Sequence, residues 1–168
     1  MTTPNDPLTL VYEALWELLD ASSEFSRLVK LQNRIRFTDS ARAPLKPTVT
    51  TGDLPEVRLI PVGLILQQGR TSSSTSIELI FELQCSSGDQ RLDVVLLPLM
   101  WSIIRATSKW PTAMAGLTWN DAAFVVQSLL GDAQIGVSQG DLNRKIKGWS
   151  SLWQWKALVW FTTTDLQA

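Results

Sequence analysis

"SIELIFELQC", residues 76–85, alternates with a period of two. Ile77, Leu79, Phe81, Leu83 and Cys85 face one way, while Glu78, Glu82 and Gln84 share the other side with Ile80. One apolar and one charged side is the pattern of an antiparallel strand with a single face on the core. Just before it, "EVRLIPVGLIL" from Glu56 reads as a second strand, with an edge-type proline at Pro61. The polar stretch "QQGRTSSST" joins the two, so residues 56–85 are predicted to form a β-hairpin.

A third strand is read from "WSSLWQWKALVWF", residues 149–161, which holds four of the chain's eight tryptophans. Trp149, Trp153, Trp155, Ala157, Val159 and Phe161 fall on one side by parity, and Leu152, Gln154, Lys156, Leu158 and Trp160 on the other. Both sides are largely apolar, which predicts cover by helices and by a neighbouring subunit, with Leu158 and Trp160 as candidate interface residues. A stacking platform for sugars or bases would need exposed rings beside a polar or basic groove. Arg144, Lys145 and Lys147 lie just upstream, but clustered strand aromatics more often pack than bind ligands. Upstream again, "AAFVVQSLL", a Gly131-Asp132 turn and "AQIGVS" complete a predicted C-terminal β-meander over residues 122–163.

Asp6-Pro7 is a helix start, a capping carboxylate followed by a proline that loses no needed donor. Leu8, Val11, Leu15, Leu18, Phe25 and Val29 continue as an apolar stripe interrupted at Ser22. This predicts one helix over residues 7–36, or two joined near Ala21-Ser22-Ser23, with its acidic residues ahead of Arg27, Lys30, Arg34 and Arg36 in the order that suits a helix dipole. Residues 38–55, with three prolines and a glycine, read as a long loop. A second helix over residues 89–107 shows two stripes: Leu92, Leu96, Leu99 and Ile103, then Leu97, Trp101 and Ile104. Being apolar on two sides it should be sandwiched, with Leu97, Trp101 and Ile104 at a subunit interface and a kink near Pro98. The segment with Trp110, Pro111, Gly116 and Trp119 reads as a loop. The whole is one domain of 168 residues in the α+β class, a mostly antiparallel sheet with two main helices on one face.

Composition narrows function. With 15 basic and 16 acidic residues and a net charge of -1, no global field draws the chain to nucleic acid or anionic lipid. The low charged fraction, 18%, points to surface covered by partners. There is no histidine, which removes the commonest general base and zinc ligand. The apolar run from Val94 to Ile104 is about half the ~20 residues that span a bilayer, so no membrane partner is expected. The N-terminus lacks signal-peptide character, so a cytoplasmic origin is expected. Cys85 alternates inward with Phe81 and Leu83 as a small core residue. Glu78 with Glu82, and Asp89 with Asp93, have spacings that a carboxylate metal site would share, but Arg58 and Arg91 are at hand as ion-pair partners. No phosphate-binding, zinc or nucleophile motif occurs, and no enzyme activity, metal or cofactor is expected.

The layout resembles the tail terminator, or tail completion, proteins of long-tailed bacteriophages. The likeness is carried by "ALWELLDASSEFSRLVKLQNRIRF" (residues 14–37), "LPEVRLIPVG" (54–63), "SSTSIELIFELQC" (73–85) and the helix "RLDVVLLPLMWSIIRA" (91–106). The resemblance implies a virion protein, assembled in host cytoplasm, that closes a six-fold ring on the head-proximal end of the tail. Its implied partners are copies of itself, the major tail tube protein and a head-completion or neck connector, with DNA passing through the lumen unread. Gln68, Arg70, Arg144, Lys145 and Lys147, in two polar loops, are then candidates for contact with tube or neck. Other neck, head-completion or baseplate roles, and a nucleic-acid-binding module, are the alternative readings.

Overall fold

The computed structural model of the chain describes residues 6–36, 54–68, 74–88, 91, 93–114, 117–119, 122–123, 125–126, 136–141 and 147–162. Helix α1 spans Pro7–Asp20. Its first turn is capped as the sequence predicts, the Thr9 amide and hydroxyl both donating to the Asp6 carboxylate at 2.8 Å. The polar break in the stripe is a second cap: Ser22 accepts from the Phe25 amide at 3.3 Å and opens α2, Ser23–Leu28.

The expected continuation to residue 36 does not occur. A 3-10 turn at Leu31–Asn33 follows, then a two-residue strand, β1, Arg34–Ile35. The Arg34 guanidinium donates to the Val29 carbonyl at 2.8 and 3.1 Å and to the Ser26 carbonyl at 3.4 Å. Those carbonyls would have received the amides of the next helical turn. Arg34 and Arg36 therefore do not line a helix end but fold back on α1, meeting Asp20 and Glu13.

Strands β2 (Glu56–Gln68) and β3 (Ser74–Ser87) form the predicted hairpin, and β8 (Lys147–Thr162) pairs with β3 along its length. β1 joins β2 in parallel, while β6 (Val125–Val126) and β7 (Gly136–Asp141) both pair with β8. The sheet has six strands in the order β1-β2-β3-β8-β6, with β7 also on β8, and every pairing but the first is antiparallel. The predicted strand over residues 122–130 is divided where it is described: β5 (Ala122–Ala123) turns back on β4 (Thr118–Trp119) as a separate pair, and β6 joins the main sheet. The Gly131-Asp132 turn and nearly all of the 38–55 loop lie outside the described residues.

The strand parities read from the sequence hold. Val57 and Leu59 of β2, Leu79, Phe81, Leu83 and Cys85 of β3, and Trp153, Trp155, Ala157 and Val159 of β8 are all buried on one face. Onto it pack Val11, Leu15, Trp16, Leu19 and Phe25, together with Leu96, Leu99 and Ile103 of α3 (Leu96–Thr107). Tyr12 ties α1 to the sheet, its hydroxyl donating to the Leu59 carbonyl at 2.9 Å. The fold is α+β, with a mostly antiparallel sheet and helices on one face.

α3 begins at Leu96, and residues 93–95 form a turn, so the predicted start at residue 89 is too early. Pro98 is thus the third helical residue rather than a mid-helix one, in the turn whose amides have no partner inside the helix, so it removes no helical hydrogen bond and the reason to expect a mid-helix kink falls away. The segment read as a loop around Trp110 and Pro111 contains a short helix, α4, Trp110–Met114.

Candidate assembly surfaces

α3 is amphipathic at helical spacing. Leu96, Leu99, Met100, Ile103, Ala106 and Thr107 turn inward, and its buried hydroxyls are satisfied by helix carbonyls: Ser102 donates to Leu99 at 2.7 Å and Thr107 to Ile103 at 2.8 Å. The inward face needs nothing more. Leu97, Trp101 and Ile104, at i, i+4 and i+7, remain 44%, 56% and 39% exposed. The stripe that the sequence singles out is present as an apolar side of the helix, but the single chain does not sandwich it. Arg105, next along the same face after Trp101, reaches Glu24 of α2 at 3.1 Å in an exposed ion pair.

The other two candidate interface residues lie elsewhere. Leu158 and Trp160 belong to the face of β8 opposite the helices and are half-buried. Lys156, on the same face, meets Glu78 at 3.4 Å. The Trp160 indole N–H is buried with no hydrogen-bond partner among the described residues. One contact therefore cannot use all five residues: three lie on the helical side and two on the outer sheet face.

A third apolar surface is not singled out in the sequence. Beyond Pro61 the register of β2 slips between Pro61 and Gly63, and β1 covers only Val57 and Arg58. Val62, Leu64, Ile65 and Leu66 are left about half exposed. Next to them a cleft of about 500 Å³ opens between α1 and β2, lined chiefly by Leu8, Tyr12, Pro61, Val62, Leu64 and Phe81. The sequence signal was the loss of alternation in "GLIL", four residues without a polar member after an edge proline.

The axial candidates sit apart. Gln68 ends β2 beside Thr75, whereas Lys147 begins β8 opposite Asp141, beyond the pair of Trp149 with Ser87. These positions are at opposite ends of the sheet, about 45 Å apart at the usual strand rise. Arg70, Arg144 and Lys145 lie outside the described residues.

Of the carboxylates that a metal site would use, Glu78 meets Lys156 and Asp93 meets Arg91, while Asp89 lies outside the described residues. Arg91 holds Asp93 at 2.7 Å on the surface, and its hydrogen bond pulls the Asp93 carboxyl below its ordinary range. Among the described residues no three His, Cys, Asp or Glu side chains are grouped to hold a metal, and no helix is long and apolar enough to cross a membrane. No family model matches the chain, and no curated protein matches its sequence.

Cys85 is fully buried opposite Ser151, and burial pushes its thiol from the ordinary 9.0 up to about 12. The hydrogen bond with Ser151 acts in the opposite, weaker direction. An aromatic disulfide reagent at pH 8 should label Cys85 at the rate of unfolding, with a burst of colour only in denaturant; immediate labelling of the native chain would place the thiol at the surface. Between about pH 9 and 12 the unfolded thiol ionises while the folded one keeps its proton, so Cys85 lowers stability as pH rises through that window.

Proposed function

We propose that this protein is a structural subunit of a phage virion, a tail terminator that caps the head-proximal end of the tail tube as a ring, stops its growth and offers the surface to which the neck attaches. The observation that carries the reading is the open stripe Leu97, Trp101 and Ile104, on a helix whose opposite face is already complete in the core. Such a stripe on a subunit of low charge is a surface awaiting a neighbour. The separation of Gln68 and Lys147 to opposite ends of the sheet gives further support, since a ring seated between tube and neck needs two axial faces. The work is binding without turnover.

The test is solution mass by light scattering, with negative-stain images of the chain alone and mixed with purified tail tubes. Rings of about six copies, or single caps at one end of each tube, are expected. A chain that stays monomeric and leaves both tube ends bare would overturn the reading.

A further inference from the structure

The chain carries two apolar features of opposite shape. One is convex, the α3 stripe of Leu97, Trp101 and Ile104. The other is concave, the cleft between α1 and the bulged part of β2. We propose that the stripe of one copy seats in the cleft of the next, with Trp101 as the central anchor, so that copies join head to tail. This rests on the self-assembling reading above and names the surfaces that perform it.

Charge and area both favour a second copy as the occupant. The rim of the cleft bears a carboxylate, Asp6, which is bonded to the lining residue Thr9. The rim of the stripe bears a cation, Arg105, four residues after Trp101, and its intrachain pair with Glu24 is exposed on both sides. Such a pair contributes little by itself and leaves Arg105 able to turn toward a neighbour's carboxylate. Among the described residues the lining of the cleft contains no charged side chain, and its volume of about 500 Å³ suits an indole with its aliphatic neighbours.

The stripe together with Val94 amounts to about 400 Å² of exposed apolar surface. Two stripes placed face to face would bury about 800 Å² in total, short of the ~1,200 Å² at which specific interfaces begin. A head-to-tail arrangement uses both features of every copy. In a closed ring each chain then makes two such contacts, about twice the burial per chain, so closure strengthens an association that a single contact makes more weakly.

The experiment uses two full-length single variants at exposed positions, Trp101→Glu and Leu64→Glu. Sedimentation across a concentration series should show the wild type associating and each variant alone monomeric, its dissociation constant raised at least about thirtyfold. Mixed in equal amounts, the two should form a one-to-one heterodimer that grows no further, because each supplies the half that the other lacks. Trp101→Gln and Leu64→Gln, with melting temperatures within a few degrees of wild type, should show weaker losses in the same pattern and guard against a folding defect.

If Leu64→Glu associates like the wild type, or the mixture stays monomeric, the cleft is not the receiving surface and the proposal fails. A wild type that remains monomeric at every concentration also overturns this contact. In that case the terminator reading is decided separately by whether the chain caps tubes.

Discussion

Trp155→Ala is expected to lower folding stability by about 3–5 kcal/mol, enough to remove a large share of the total for a chain of this size. Trp155 has no exposed surface, lies opposite Phe81 across the β3–β8 pair, and belongs to the face that both helical segments cover. Truncation would leave a cavity at the junction of sheet and helices. Trp155→Phe should behave differently. The indole N–H of Trp155 is buried without a hydrogen-bond partner among the described residues, so the native residue already bears a desolvation penalty of about 1–3 kcal/mol. Phenylalanine removes that orphan donor while keeping most of the ring, and a loss within about 1.5 kcal/mol is expected. Trp153 is the contrast, since its indole donates to the Ser151 hydroxyl at 3.1 Å and phenylalanine there would leave a hydroxyl without its donor. Urea unfolding followed by circular dichroism checks both, through a shift of midpoint at constant slope. A Trp155→Ala variant within 1 kcal/mol of wild type would mean that the helices do not cover this face.

The second large effect is expected at Arg34, where Ala should cost about 3 kcal/mol, the low end for breaking a buried ion pair. The side chain is 8% exposed and pairs with Asp20 at 2.8 Å, holds the Val29 and Ser26 carbonyls, and lies over the Phe25 ring at 5.2 Å. The loss sits at the low end because Asp20 is about a quarter exposed and also meets Arg36, which reaches Glu13 and covers the Trp16 ring. Arg34→Lys should recover less than half of it, since one ammonium cannot serve a carboxylate and two carbonyls set apart by the planar fork. The same urea titration measures both variants, and equal stability of Lys and Arg would reduce the network to a simple charge attraction.

Much of this architecture was legible along the chain. Period-two alternation in residues 76–85 and 149–161 assigned strand faces that the structure keeps, because side-chain direction in a strand follows from backbone geometry alone. The cap at Asp6 was legible for a similar reason, as it acts on an amide three residues away, whereas Ser22 showed in the sequence only as a break in the stripe and its capping role came from the structure. Cys85 followed from parity.

What only the tertiary structure decided depends on residues distant in sequence. The first helical region ends at Leu28 because Arg34 reaches back to Asp20 and to carbonyls of α2, and no local propensity encodes that pairing. The stripes of α3 are equally apolar by composition, yet packing against the sheet buries one and leaves Leu97, Trp101 and Ile104 open. Leu158 and Trp160 resemble those residues in sequence but are carried to the opposite side of the sheet. The cleft arises where a bulge in β2 meets the first turns of α1, elements about fifty residues apart. Periodicity fixes which side of an element is apolar; which apolar side stays uncovered is settled by how the layers stack.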